Sequence, residues 1–292
     1  MAGLHSAHEA QWILTLSCQD VYGIVADVSG ALRQAGGFII ESAQFGDPST
    51  GQFFMRTVFA LDSDLCSSID TLRHDFSTLA VRYSMKWELV SRSYKPRMLM
   101  LVSKQSHCLN DILHRYHRGA LPVEIPAILS NHRELENLAL FHQVPFFYLP
   151  VSAENRAKQE EQILDLIKQL DIDLVVLARY MQILSPYLAE QLEGRAINIH
   201  HSFLPSFKGA RPYHQAFDKG VKLIGATAHY VNNALDEGPI IEQEVVRVNH
   251  THSPEQMTAL GRDIECVVLA RAILYHIERR VLLNASKTVI FS

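Results

Sequence analysis

The run Arg97-Met98-Leu99-Met100-Leu101-Val102 reads as a strand, and it marks where the chain changes its pattern. After it, short apolar strands alternate with helical stretches: Glu124–Ser130, Phe146–Pro150, Leu174–Leu177 and Ala196–His200. Strand and helix in strict alternation signal a parallel sheet covered on both faces. Two more strand-like segments follow, 223–231 and 240–248, and a long helix is expected from Pro254 to about Leu282. Before Arg97 the order is different. A strand over 12–17, a helix over 23–34, strands over 38–45 and 52–60, a helix over 67–80 and a strand over 84–89 give β-α-β-β-α-β, the ferredoxin-like unit. Gly36-Gly37 stops the first helix, and the turn-rich Gly46-Asp47-Pro48-Ser49-Thr50-Gly51 joins the two middle strands. The expected organisation is therefore α/β in two parts: a ferredoxin-like domain over 1–90, a linker over 91–96, and a Rossmann-like, mainly parallel-sheet domain over 97–292.

The strand Ala196-Ile197-Asn198-Ile199-His200 carries the chemistry. Side chains alternate along a strand, so Asn198 and His200 share one face while Ile197 and Ile199 enter the opposite, apolar layer. His201 should then face away and be structural. Open α/β sheets gather ligands at the carboxyl ends of their strands, which is where these two polar groups stand. The polar loop Asn232-Asn233-Ala234-Leu235-Asp236-Glu237-Gly238-Pro239 lies between two strands and has the length to fold back over that edge with Asp236. Brought together, the three side chains suit attack on an acyl carbon. The Asn198 amide donates to a carbonyl oxygen as it becomes an oxyanion. The Asp236 carboxylate favours the charged form of His200 and takes a proton from the nucleophile. Taken singly, Asn-x-His at a strand end and Asp-Glu-Gly-Pro in a turn are also ordinary structural features.

Composition sets the outer bounds. The chain has 292 residues, 48% apolar and 20% charged, with a net charge of −4. That balance belongs to a soluble globular protein without a general attraction to nucleic acid. Cys18, Cys66, Cys108 and Cys266 are widely spaced with no Cys-x-x-Cys pair, a pattern of buried thiols in a reducing compartment. The N-terminal residues lack a basic start and an apolar core, and no apolar run approaches the roughly 20 residues of a membrane span, so a cytoplasmic protein with no membrane partner is expected. His250-Thr251-His252 has no third ligand and no His-Glu-x-x-His helix beside it, so no metal is expected.

From Asn198 to Asp236, with Ser202-Phe203-Leu204-Pro205 and Gly225-Ala226-Thr227-Ala228-His229-Tyr230-Val231, the chain resembles the folate-dependent formyltransferase superfamily, and within it the formyltetrahydrofolate deformylase family. That family joins an N-terminal ACT domain, a ferredoxin-like regulatory module, to a formyltransferase-type hydrolase domain, so the resemblance covers nearly the whole chain. It implies that Asn198, His200 and Asp236 are the catalytic trio, acting without metal or cofactor. It also implies that 10-formyltetrahydrofolate is the substrate and that water cleaves it to formate and tetrahydrofolate. Leu177-Ala178-Arg179-Tyr180-Met181-Gln182-Ile183-Leu184 looks like the family's folate pocket, which makes Met181, Gln182, Ile183, Leu184 and His229 the substrate-binding candidates. Lys208 and Arg211 are candidates for the anionic tail of the folate.

The alternative outcome is transfer of the formyl group to a small amine. Related ribonucleotide transformylases run from the first strand of this domain into a glycine-bearing loop that cradles a substrate phosphate. Here the corresponding stretch, Val102-Ser103-Lys104-Gln105-Ser106-His107-Cys108-Leu109-Asn110-Asp111, has no glycine. Side chains hinder the close backbone approach such a cradle needs, which favours water. In the ACT-like part the resemblance implies an effector site for a small amino acid such as glycine around Asp20, Gly23 and Ile24, and an assembly of identical subunits. A plain helix cap is the other reading of those residues.

Overall fold

A computed structural model of the chain describes residues 10–61, 68–205 and 212–292. Contacts group them into two compact units: residues 1–94 with 278–284 and 288–292, and residues 95–277 with 285–287.

The first unit runs β1 (Gln11–Gln19), α1 (Ile24–Gln34), β2 (Gly37–Asp47), β3 (Gln52–Leu61), α2 (Ile69–Arg82) and β4 (Lys86–Ser91). All pairings are antiparallel and the sheet order is β2-β3-β1-β4, so the βαββαβ reading holds. Alternation in β1 turns Leu14, Leu16 and Cys18 toward the helices, where they meet Ile24, Val28 and Leu32 of α1 and Leu72, Phe76 and Ala80 of α2. Ser68 starts α2 by accepting a hydrogen bond from the Thr71 backbone N–H at 3.1 Å.

In the second unit come β5 (Arg97–Val102), α3 (His107–His117), β6 (Glu124–Ser130), α4 (Glu136–Phe141), β7 (Phe146–Tyr148), α5 (Arg156–Gln169), β8 (Leu174–Leu177), α6 (Pro186–Gln191), β9 (Ala196–His200), α7 (Pro212–Asp218), β10 (Leu223–Tyr230), β11 (Ile240–Arg247) and α8 (Pro254–Ile277). The sheet order is β11-β10-β9-β8-β5-β6-β7, parallel from β7 to β9 and antiparallel at β10 and β11. Every residue of β5 after Arg97 is buried, as expected of a central strand covered on both sides. From β5 the chain first builds outward through β6 and β7, then returns to build β8 and β9 on the other side. The switch point between β5 and β8 opens a crevice at the carboxyl ends of the strands.

The long helix ends at Ile277, earlier than its apolar run suggests. Arg279 takes a left-handed φ of 55°, and Val281–Asn284 (β12) and Lys287–Ile290 (β13) form a hairpin. Most of this hairpin groups with the first unit, where Asn284 donates to Asp47 at 2.7 Å and Arg56 donates to the Glu278 carbonyl at 3.0 Å. Among the described residues no helix is long and apolar enough to cross a membrane.

Candidate active site

At the switch point lies a cavity of about 600 Å³, lined by residues that follow β5, β8 and β9, by β10 and the loop after it, and by α8. Asn198, His200 and Asp236 all face into it. Ile197 and Ile199 are 0% and 3% exposed in the layers of the core, as alternation requires. The loop between β10 and β11 does fold back: Asp236 Oδ1 is 3.2 Å from His200 Nδ1. Two backbone features fix that return. Asp236 has a left-handed φ of 57°, a conformation that costs a residue with a side chain on the order of 1–3 kcal/mol and recurs at functional sites. Gly238 passes so close to β10 that a Cβ there would overlap the Tyr230 carbonyl oxygen.

His229 completes the constellation. Its Nδ1 is 2.8 Å from the Tyr230 carbonyl, so Nδ1 carries the proton and donates it. Its Nε2 then accepts from the Asn198 amide nitrogen at 3.2 Å, which turns the second N–H of that amide group toward other acceptors. Burial holds the His229 pKa below the usual imidazole value, against the Tyr230 hydrogen bond and the charge of Asp236. Burial pushes the Asp236 pKa upward, but the hydrogen bond and charge of His200, with the charge of His229 beyond, outweigh this and keep the carboxyl below its ordinary pKa. His200 Nε2 is buried and has no hydrogen-bond partner among the described residues. An imidazole held by a carboxylate at one nitrogen and open at the other is equipped to exchange a proton or a hydrogen bond with a bound molecule.

One wall of the cavity is the segment Tyr180–Leu184 after β8. Ser103, at the end of β5, accepts from the Met181 backbone N–H at 3.1 Å while its own hydroxyl donates to Asn131 at 2.6 Å. The segment ends where Ser185 caps α6, and Glu160 takes hydrogen bonds from both the backbone N–H and the hydroxyl of Ser185. Met181, Gln182, Ile183, Leu184 and His229 all line the cavity. Met181 and Ile183 are more than half exposed at its edge, apolar surface left open next to polar groups.

A second group of lining residues was not singled out in the sequence. His107 from the start of α3, Arg179, Tyr213 from α7 and Glu265 from α8 meet in the cavity lining. Glu265, 1% exposed, is 2.7 Å from His107 Nε2, accepts from the Tyr213 hydroxyl at 2.9 Å and lies 3.6 Å from Arg179 Nε. Burial raises its pKa, yet the His107 hydrogen bond, the Arg179 charge and Tyr213 together bring it below the usual carboxylate value. His107, Cys108 and Glu265 have metal-ligating atoms within 4.8 Å of one another, but the Arg179 guanidinium already supplies the positive charge beside that carboxylate.

His201 differs from expectation. The strand ends at His200, alternation ends with it, and His201 lines the cavity with its ring stacked 5.1 Å from that of His200. Burial, with the charges of Arg179 and His200, pushes its pKa down to about 4. Lys208 and Arg211 lie outside the described residues. Lys104 pairs with Glu134 at 3.3 Å, and His252 is tied to Asn249 within an exposed turn. In the first unit Gly23, with φ 94°, is the N-cap of α1, Asp20 is exposed, and Ile24 is a core residue at 2% exposure.

Asn198 and His200 on β9 and Asp236 from the loop after β10 thus converge in a crevice at the switch point of a mainly parallel sheet. The formyl transferase family profile matches residues 96–273. Formyltetrahydrofolate deformylases are similar over almost the whole chain: the protein from a Corynebacterium species is 48% identical over 97% of this chain and 99% of its own. The crystal structure of the Burkholderia mallei deformylase superposes with a TM-score of 0.93 at 49% identity, covering 97% of this chain and 100% of that one. Glycinamide ribonucleotide transformylase 1 of Symbiobacterium toebii matches at a TM-score of 0.65 and 27% identity, over 70% of this chain and 98% of that one. The chain thus belongs to the formyl transferase family and, within it, to the formyltetrahydrofolate deformylases.

Proposed function

We propose that this protein hydrolyses 10-formyltetrahydrofolate to formate and tetrahydrofolate, with Asn198, His200 and Asp236 as the catalytic trio. The observation that carries the assignment of the trio is the 3.2 Å contact between His200 Nδ1 and Asp236 in the cavity lining, with His200 Nε2 buried and without a hydrogen-bond partner among the described residues. In this reading the folate ring lies against Met181–Leu184, where backbone groups and exposed apolar side chains meet, with His229 orienting Asn198 from below. The formyl oxygen accepts from the free N–H of Asn198 and from His200 Nε2–H, donors whose loss from comparable sites costs roughly 3 kcal/mol of transition-state stabilisation. A water molecule adds to the formyl carbon and gives a proton to the Asp236 carboxylate. The tetrahedral intermediate collapses, the C–N bond breaks, the nitrogen takes up a proton and formate leaves. These side chains suffice for every proton in the sequence, so the reading includes no metal and no cofactor.

The wider reading places the enzyme in the cytoplasm as a homo-oligomer whose first unit takes a small amino acid such as glycine near Asp20 and Gly23. Ile24 contributes there through its backbone, since its side chain is in the core. The test of the main assignment is formate release by purified protein with no amine present. Intact folate binding without formate would refute it. Glycine-dependent change in the thermal midpoint, lost in Asp20→Ala, tests the effector site; no shift with the wild-type protein contradicts it.

A further inference from the structure

The family includes enzymes named for transfer to glycinamide ribonucleotide, and one of them shares this backbone over 70% of the chain. Side chains beside the trio are therefore one place where the choice between water and an amine can be made. With the ring system of the folate against Met181–Leu184, the side left for a nucleophile is the one lined from α3, α7 and α8. That side is occupied. The ring of His201 stacks on His200 and lies 6.5 Å from that of Tyr213, Tyr213 donates to Glu265, and Glu265 is bound to His107.

Arg179 stands out in this group for three separate reasons. Its backbone is left-handed, with φ 63°, a conformation that glycine takes without cost and arginine does not. Its side chain is only 14% exposed although it is charged. Its Nε and Nη1 atoms are buried without a hydrogen-bond partner among the described residues, the Glu265 carboxylate at 3.6 Å being an ion pair rather than a hydrogen bond. Strain, burial of charge and unmet donors at one residue mean that something other than stability keeps it. The rest of the wall is built to receive it. Gly261 has no Cβ, and one there would overlap the phenol of Tyr213, so α8 opens a slot that lets Tyr213 reach Glu265 and hold it opposite Arg179.

We propose that Arg179, held against Glu265, is the specificity-determining residue of the site: it fills the room that an amine acceptor would enter and leaves space for water. This rests on the hydrolytic reading above. With Arg179 in place, water oxygen bonds to the formyl carbon and the products are formate and tetrahydrofolate. With the side chain removed, an amine nitrogen bonds to the same carbon, the C–N bond to the folate breaks, the folate nitrogen takes the proton that the amine loses, and the product is an N-formyl amine.

The experiment compares wild type, Arg179→Gly and Arg179→Asn, two replacements that suit a left-handed backbone. Each is given 10-formyltetrahydrofolate with either glycinamide or glycinamide ribonucleotide, and formate and N-formyl product are measured separately. Wild type should give formate alone, with N-formyl product in fewer than about one turnover in a hundred, and both variants should direct at least about one in ten to the amine. Formate alone from a folded variant overturns the proposal, as does loss of all turnover, which would make Arg179 part of the chemistry. Failure of both variants to fold overturns it too, because the backbone favours Gly and Asn at this position. Absence of formate from the wild type would instead refute the hydrolytic reading, so the two failures are distinct.

Discussion

Two of the histidine–carboxylate pairs in the cavity have opposite character. In one, His200 and Asp236 meet at 3.2 Å and the far nitrogen of the imidazole is left open. In the other, His107 and Glu265 meet at 2.7 Å, and Tyr213 and Arg179 take up what remains of the carboxylate. The pairs use the same chemical groups and differ in what is left unbonded. An open nitrogen next to a strained loop is suited to chemistry, whereas a saturated carboxylate in the core is suited to holding neighbours in place.

That difference predicts which replacements lose rate and which lose stability. Asp236→Asn keeps the shape and tolerates the left-handed backbone, so hydrolysis should fall by about 10³-fold or more with little change in melting temperature; a tenfold loss would show that Asp236 does not take the proton. Glu265→Ala should do the reverse, lowering stability by about 3–5 kcal/mol because Arg179 is left buried without its counter-charge and His107 and Tyr213 lose their hydrogen-bond partner. A denaturant midpoint within error of wild type would break the comparison. Asn198→Ala removes one oxyanion donor and should cost about 10²- to 10³-fold in kcat with folate affinity largely kept. Steady-state kinetics in which KM alone changes would contradict its role.

The smallest effect concerns pH. His201 has an ordinary value of 6.5 and is pushed down to about 4 in the fold, so between those values the unfolded chain binds more protons and stability must fall as pH falls. The loss attributable to this ring is at most about 3 kcal/mol. Asp236 and Glu265, both held below the usual carboxylate value, add to it: their contribution is complete above the unfolded carboxylate value and disappears as pH drops through the folded ones. His201→Gln should flatten the dependence of the urea midpoint between pH 6.5 and 4; an unchanged slope would assign it elsewhere.

The sequence revealed the trio better than the second group of lining residues, for a physical reason. Asn198 and His200 sit in one short strand whose period of two is written in the alternation with Ile197 and Ile199. The strands 97–102, 124–130 and 174–177 were legible for a different reason, as short apolar runs that a sheet buries on both faces. Alternation fails one residue after His200, which is why His201 turns into the cavity against expectation. Asp236 was placed by resemblance, since nothing local to residues 232–239 states where a loop folds. His107, Tyr213 and Glu265 come from three separate helices and Arg179 from the connection after β8, and no spacing joins the four. The early end of α8 was hidden because Val281-Leu282-Leu283 continues an apolar run that suits a helix and a strand equally.

The most direct test of the account is hydrolysis in ¹⁸O-labelled water with no amine present. Water attack at the formyl carbon predicts formate carrying one labelled oxygen, in a one-to-one ratio with tetrahydrofolate, from the wild type and at least about 10³-fold more slowly from Asp236→Asn. Unlabelled formate, or loss of 10-formyltetrahydrofolate without formate, would contradict it.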